Sequence, residues 1–66
     1  MTEQLDTANT RFLTVGEVAR LLRVSTMTVY RLINTRRLPA VRIGRSFRVR
    51  EVDLDRYVAE QLTRAG

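Results

Sequence analysis

Between Arg20 and Arg50 the chain places nine arginines and not one acidic residue. A guanidinium keeps its charge at any ordinary pH and presents a planar fork of N–H donors, which matches a phosphate or the acceptor edge of a guanine. Like charges set this close repel one another unless an anion lies against them. A merely solvated face normally mixes both signs. The other three arginines, Arg11, Arg56 and Arg64, stand against seven acids, so the basic charge is concentrated in one stretch. That distribution predicts a nucleic acid as partner, ahead of an anionic membrane or an acidic protein. Catalytic chemistry has little to work with. There is no His and no Cys, hence no imidazole or thiolate to act as nucleophile, general base or metal ligand. The reading is a non-enzyme with no catalytic residue, no metal and no cofactor.

At 66 residues the chain makes one domain with a modest core. Residues 1–11 show no apolar periodicity and read as a flexible tail. Residues 12–63 read as the folded domain, and 64–66 as a short C-terminal tail. The N-terminus "MTEQLDTANT" has neither the basic start nor the apolar stretch of a secretion signal. No apolar run approaches the ~20 residues that span a bilayer. The expectation is a cytoplasmic, nucleoid-associated protein with no membrane partner.

The elements that must position the arginines follow from local chemistry. Thr14 reads as an N-cap and Glu17 completes a capping box, with Leu13 placed to staple onto Val18. Val15, Val18, Ala19 and Leu22 then recur at helical spacing. Ser25 caps a second helix, with Val24 placed to staple onto Val29. In that helix Val29, Leu32 and Ile33 form the inward face. Met27, Arg31 and Asn34 point directly away, and Thr28 and Tyr30 lie at the borders. Only Arg23, Val24 and Ser25 separate the two helices, a connection short enough to force the sharp crossing of a helix-turn-helix.

Pro39 ends the helical region. "AVRIGRSFRVR" then alternates apolar and basic residues around Gly44, a hairpin signal. A three-residue loop, Gly44-Arg45-Ser46, would pair Ile43 with Phe47 and Val41 with Val49. It would put all four apolar side chains on one face and Arg42, Arg48 and Arg50 on the other. That register is preferred here over a two-residue turn, which mixes the faces. A last helix carries Leu54, Tyr57, Val58 and Leu62 as its apolar stripe. Glu51, Asp53 and Asp55 sit in its first turns, where the helix dipole favours them. This helix is expected to close the core behind the hairpin. The fold class is mainly α with a β-hairpin: a winged helix-turn-helix with a two-stranded wing and a C-terminal helix.

The stretch from Phe12 to Val58 resembles the excisionase-type branch of the MerR-like winged helix-turn-helix domains, which includes phage excisionases and BldC-like small regulators. The matching pieces are "T-x-x-E-V-A-x-L-L" (Thr14–Leu22), "V-S-x-x-T-V-Y-R" (Val24–Arg31), "L-P-A-V-R-I-G-R" (Leu38–Arg45), "F-R-V" (Phe47–Val49) and "D-L-D-x-Y" (Asp53–Tyr57). The resemblance implies that the second helix enters the major groove and the hairpin is a wing reaching the backbone or the adjacent minor groove. It carries over Thr26, Met27, Tyr30 and Arg31 as groove residues, and Arg42, Arg45 and Arg48 as wing residues. Two departures stand out. The family often has Gly where this chain has Arg23 and Arg36. If those positions need left-handed backbone, each Arg costs about 1 kcal/mol.

The candidate DNA-binding set is therefore Ser25, Thr26, Met27, Thr28, Tyr30, Arg31 and Asn34 on the second helix, and Arg36, Arg37, Arg42, Arg45, Ser46 and Arg48 on the loop and wing. Arg31 can fork to a guanine or hold a phosphate. Met27 can touch a thymine methyl. Tyr30 packs toward the wing with its hydroxyl free for phosphate. Ser25 and Thr28 serve first as caps, and Phe47 as core. The expected partner is double-stranded DNA, joined by further copies of the protein on tandem sites and, in an excision role, by an integrase. No coiled-coil helix or effector domain is read after residue 62, so no small-molecule effector is expected. The alternative is an RNA-binding or protein-interaction module on the same fold, such as a phage DNA-packaging adaptor.

Overall fold

The computed structural model describes residues 11–65. Nearly all of the tail expected at 1–11, and Gly66, lie outside the described residues. The elements in chain order are β1 (Phe12–Thr14), α1 (Val15–Leu22), α2 (Thr26–Asn34), β2 (Val41–Ile43), β3 (Ser46–Arg50) and α3 (Glu51–Ala65). Three helices surround a small antiparallel sheet of order β1-β3-β2, the winged helix-turn-helix arrangement. Among the described residues no helix is long and apolar enough to cross a membrane.

Both helices of the helix-turn-helix start where their caps dictate. Thr14 Oγ1 accepts from the Glu17 N–H at 3.0 Å, and Glu17 Oε1 accepts from the Thr14 N–H at 2.8 Å, a closed capping box. The Thr14 N–H is the main cause that holds the Glu17 carboxyl below its ordinary range. Ser25 Oγ accepts from the Thr28 N–H at 3.2 Å. Leu13 and Val18 are buried in one cluster, as the first staple requires. At the second helix Val29 is fully buried, while Val24 remains 39% exposed.

Both helices also end alike. The Val24 N–H donates to Ala19 O and the Arg37 N–H to Leu32 O, each at 2.9 Å. These bonds wrap the chain back over the last turn and force the residue before them into left-handed backbone. Those residues are Arg23 (φ +60°) and Arg36 (φ +64°), the two positions where the related family often has Gly. A side chain there crowds its own backbone by about 1 kcal/mol. Arg23→Gly is therefore expected to raise the unfolding free energy by about 0.5–1 kcal/mol, part of the relief being lost to the looser unfolded chain. Urea denaturation checks this; a lower midpoint would mean that the Arg23 side chain packs rather than strains.

The sheet differs from expectation in two ways. β1 was not foreseen: Phe12, Leu13 and Thr14 pair with Arg50, Val49 and Arg48, and the Glu51 N–H donates to Arg11 O at 2.8 Å where α3 begins. The hairpin register is also corrected. Val41 lies opposite Arg48, Arg42 opposite Phe47 and Ile43 opposite Ser46, so the turn is the two-residue Gly44-Arg45. Gly44 has φ +63° while Arg45 stays at negative φ, as a II′ turn requires. The turn outweighs apolar pairing because the core does not need β2. Leu13 and Val49 form a buried cross-strand pair that β1 and β3 complete between them. β2 is an edge strand, and its Val41 and Ile43 remain 43 and 52% exposed. Arg42 shares the inner face with Phe47, with its guanidinium 5.9 Å from the ring centre; cation–π attraction makes that placement tolerable.

The core comprises Leu13, Val15, Val18, Ala19, Val29, Leu32, Leu38, Val49 and Leu54. α3 contributes to it only through its first half. Leu54 is buried and Tyr57 packs against the cluster, but Val58 is at the border and Leu62 is 70% exposed. The expected stripe outruns the core because a 15-residue helix extends about 22 Å, further than the small sheet it covers. The helix continues through Arg64 and Ala65, past residue 63 where the folded part was expected to end. Asp53 is buried at the foot of α3, and its two oxygens accept from Arg50 Nε at 2.7 Å and Nη2 at 3.1 Å. This fork-to-carboxylate bond holds Arg50 above its already high pKa.

Candidate nucleic-acid interface

The α2 surface divides as its 3.6-residue period demands. Val29 and Leu32 are buried and Ile33 is packed against the core, while Met27, Arg31 and Asn34 are exposed. Met27 is 69% exposed, a large apolar side chain with no role in the core. Arg31 uses only its backbone carbonyl for structure, accepting from the Thr35 N–H at 2.9 Å and the Thr35 hydroxyl at 2.7 Å. At the start of the helix Ser25 and Thr26 are exposed and Thr28 is half-buried. The Ser25 and Thr28 hydroxyls lie 3.1 Å apart, so both are engaged in the cap.

The hairpin is joined to α2 through aromatic contact. The Tyr30 and Phe47 rings meet edge to face with centroids 6.3 Å apart, a favourable arrangement of ring quadrupoles. Arg42 covers Phe47. Tyr30, Ser46 and Arg48 line one shallow depression of about 300 Å³ together with the start of α1. Asn34 and Arg36 line an adjoining one against Phe47. Arg45 stands exposed at the tip of the turn. Arg48 is half-buried, and its Nη1 donates to Phe47 O at 3.2 Å. Thus Tyr30, Asn34, Arg36, Arg42, Ser46 and Arg48 border the α2–hairpin junction. Met27 and Arg31 stand clear of it on the outward arc. Arg37 faces α3.

Electrostatically the region is unbalanced. Among the described residues the ion pair within 4 Å is Arg50–Asp53. Among the described residues the eight other arginines of the Arg20–Arg50 run have no carboxylate partner at that distance. Sequence reasoning placed Arg50 with the free charges of the wing; Asp53 neutralises it. Their spacing across a helix start, i and i+3, was the available signal. Sequence reasoning also missed that Arg56 and Arg64 of α3 lie beside Arg36 and Arg37. Only the packing of α3 brings them there.

Comparison with known proteins matches residues 12–62 to the family model described as a helix-turn-helix domain. "Putative DNA-binding protein Rv0500A" of Mycobacterium tuberculosis strain H37Rv is 69% identical over 42 residues, covering 64% of this chain and 54% of the relative. "Putative DNA-binding protein MT0521" of strain CDC 1551 matches to the same extent. "Uncharacterized protein YvgK" of Bacillus subtilis is 57% identical over 44 residues, 67% of this chain and 14% of the relative. The chain spans about half the length of the mycobacterial relatives it matches. No solved structure matches significantly. With the fold and the match over most of its length in agreement, the chain belongs to the helix-turn-helix domain family.

Proposed function

We infer that the domain over residues 12–63 binds double-stranded DNA sequence-specifically, with α2 in the major groove and the β2–β3 wing on the backbone or adjacent minor groove. The observation that carries this reading is the exposed arc of Met27, Arg31 and Asn34, which lies outside the core and is flanked by arginines that have no carboxylate partner among the described residues. Met27, Arg31 and Asn34 meet base edges, as does Thr26 at the helix start. Ser25, Thr28 and Tyr30 reach phosphate from the helix. Arg36, Arg37, Arg42, Arg45, Ser46 and Arg48 hold the backbone on either side. The printed names of the mycobacterial relatives agree with this class of ligand. One such module reads few base pairs, so further copies assemble on tandem sites. The same geometry serves an excisionase working beside an integrase and a transcriptional regulator; an integrase gene next to the coding region separates the two. Either role belongs in the cytoplasm at the nucleoid.

The test is the salt dependence of duplex binding. Roughly five or six arginines replacing counterions give a log K against log[salt] slope near −5. A slope shallower than about −2 would remove the phosphate-binding role of the arginines. Parallel filter binding to single-stranded RNA and polyglutamate separates DNA recognition from an RNA or acidic-protein partner.

A further inference from the structure

α3 begins with acids, yet two of its arginines face the loop that follows α2. Arg56 and Arg64 line a groove of about 360 Å³ together with Arg36 and Arg37. The carboxylates in that groove are Asp53 and Glu60. Asp53 is already committed, since both its oxygens accept from Arg50. Glu60 stands four residues from each α3 arginine, a spacing that often gives ion pairs along a helix surface. Here it forms none within 4 Å among the described residues. Four guanidiniums therefore share a groove with one uncommitted carboxylate. Arg36 is held there in left-handed backbone, and it also lines the adjoining depression with Asn34. The groove is thus continuous with the C-terminal end of the proposed recognition helix.

We propose that this groove holds a backbone phosphate of the bound duplex, extending the DNA footprint beyond the C-terminal end of α2 and making Arg56 and Arg64 DNA contacts. The inference rests on the DNA-binding reading above. Cations set in a polar groove suit a phosphodiester, because a guanidinium fork meets two of its oxygens at once. Both arginines are exposed and outside the core, so their removal leaves the fold intact.

The test uses the full chain and a labelled duplex of about 30 base pairs containing the best site, with anisotropy titrations over a range of salt. Arg56→Gln/Arg64→Gln is expected to bind at least about tenfold more weakly at low salt and to lose about two units of salt slope. Arg64→Gln alone should lose about one. Arg11→Gln, the same charge change elsewhere, should shift affinity less than about twofold. Urea midpoints of all variants should match wild type. If the double variant binds like wild type, the groove is not a DNA contact. If Arg11→Gln costs as much as Arg64→Gln, the effect is the protein's general field and the site is overturned. If the double variant keeps duplex affinity but loses polyglutamate binding, the groove takes an acidic protein segment instead. A wild-type protein that ignores duplex DNA would remove the underlying reading itself, a result distinct from failure of the groove.

Discussion

Val29→Asp should leave the domain unfolded at 25 °C. Val29 has no exposed surface and sits among Val18, Leu32, Leu38 and Val49, where α1 and α2 meet the sheet. An aspartate there has no cationic partner in the core. Burying an unpaired carboxylate costs several kcal/mol even after neutralisation or water entry. A single core in a chain of this size supplies only about 3–5 kcal/mol of net stability. The penalty is comparable to everything that holds the domain folded. Far-UV circular dichroism without helical signal and the absence of a urea transition are the expected readouts. A cooperative transition at the wild-type midpoint would show that Val29 is not part of the core.

Arg31→Ala should do the opposite: the fold persists and the best DNA site loses about 1–3 kcal/mol, with relaxed preference at one or two base pairs. Arg31 is exposed, and the hydrogen bonds to its carbonyl come from Thr35 and survive truncation of the side chain. Selection of bound duplexes from a randomised pool, with melting temperature as control, reads both effects. A loss equal on all sequences would assign Arg31 to phosphate. A loss of fold would reverse the assignment of the outward face.

The parts legible in the sequence were those decided within one turn of chain. The Thr14–Glu17 box and the Ser25 cap are local chemistry, so both helix starts could be placed. The inward and outward faces of α2 follow from periodicity alone. Arg23 and Arg36 could be suspected of left-handed backbone only through family resemblance, and both adopt it. The parts that were not legible depend on distant partners. β1 is three residues long, too short to show alternation, and its pairing strand lies at the other end of the domain. Apolar pairing alone favours the wrong hairpin register, because Gly44 and the Leu13–Val49 pair govern it. Leu38 is fully buried, yet no apolar periodicity in the sequence marks it as core. The placement of Arg56 and Arg64 beside Arg36 and Arg37 needs the angle of α3, which no local pattern records.

The edge-to-face contact between Tyr30 and Phe47 gives the molecule its own spectroscopic reporter. The chain has no Trp and only two Tyr, and one of them sits where the recognition helix meets the wing. Ring currents from Phe47 act on the Tyr30 ring protons from a fixed direction, so their chemical shifts register any swing of the hairpin against α2. The other, Tyr57, packs against the core on α3 and takes no part in that contact. Helix–wing geometry in the free and bound states can thus be followed by nuclear magnetic resonance without introducing a label.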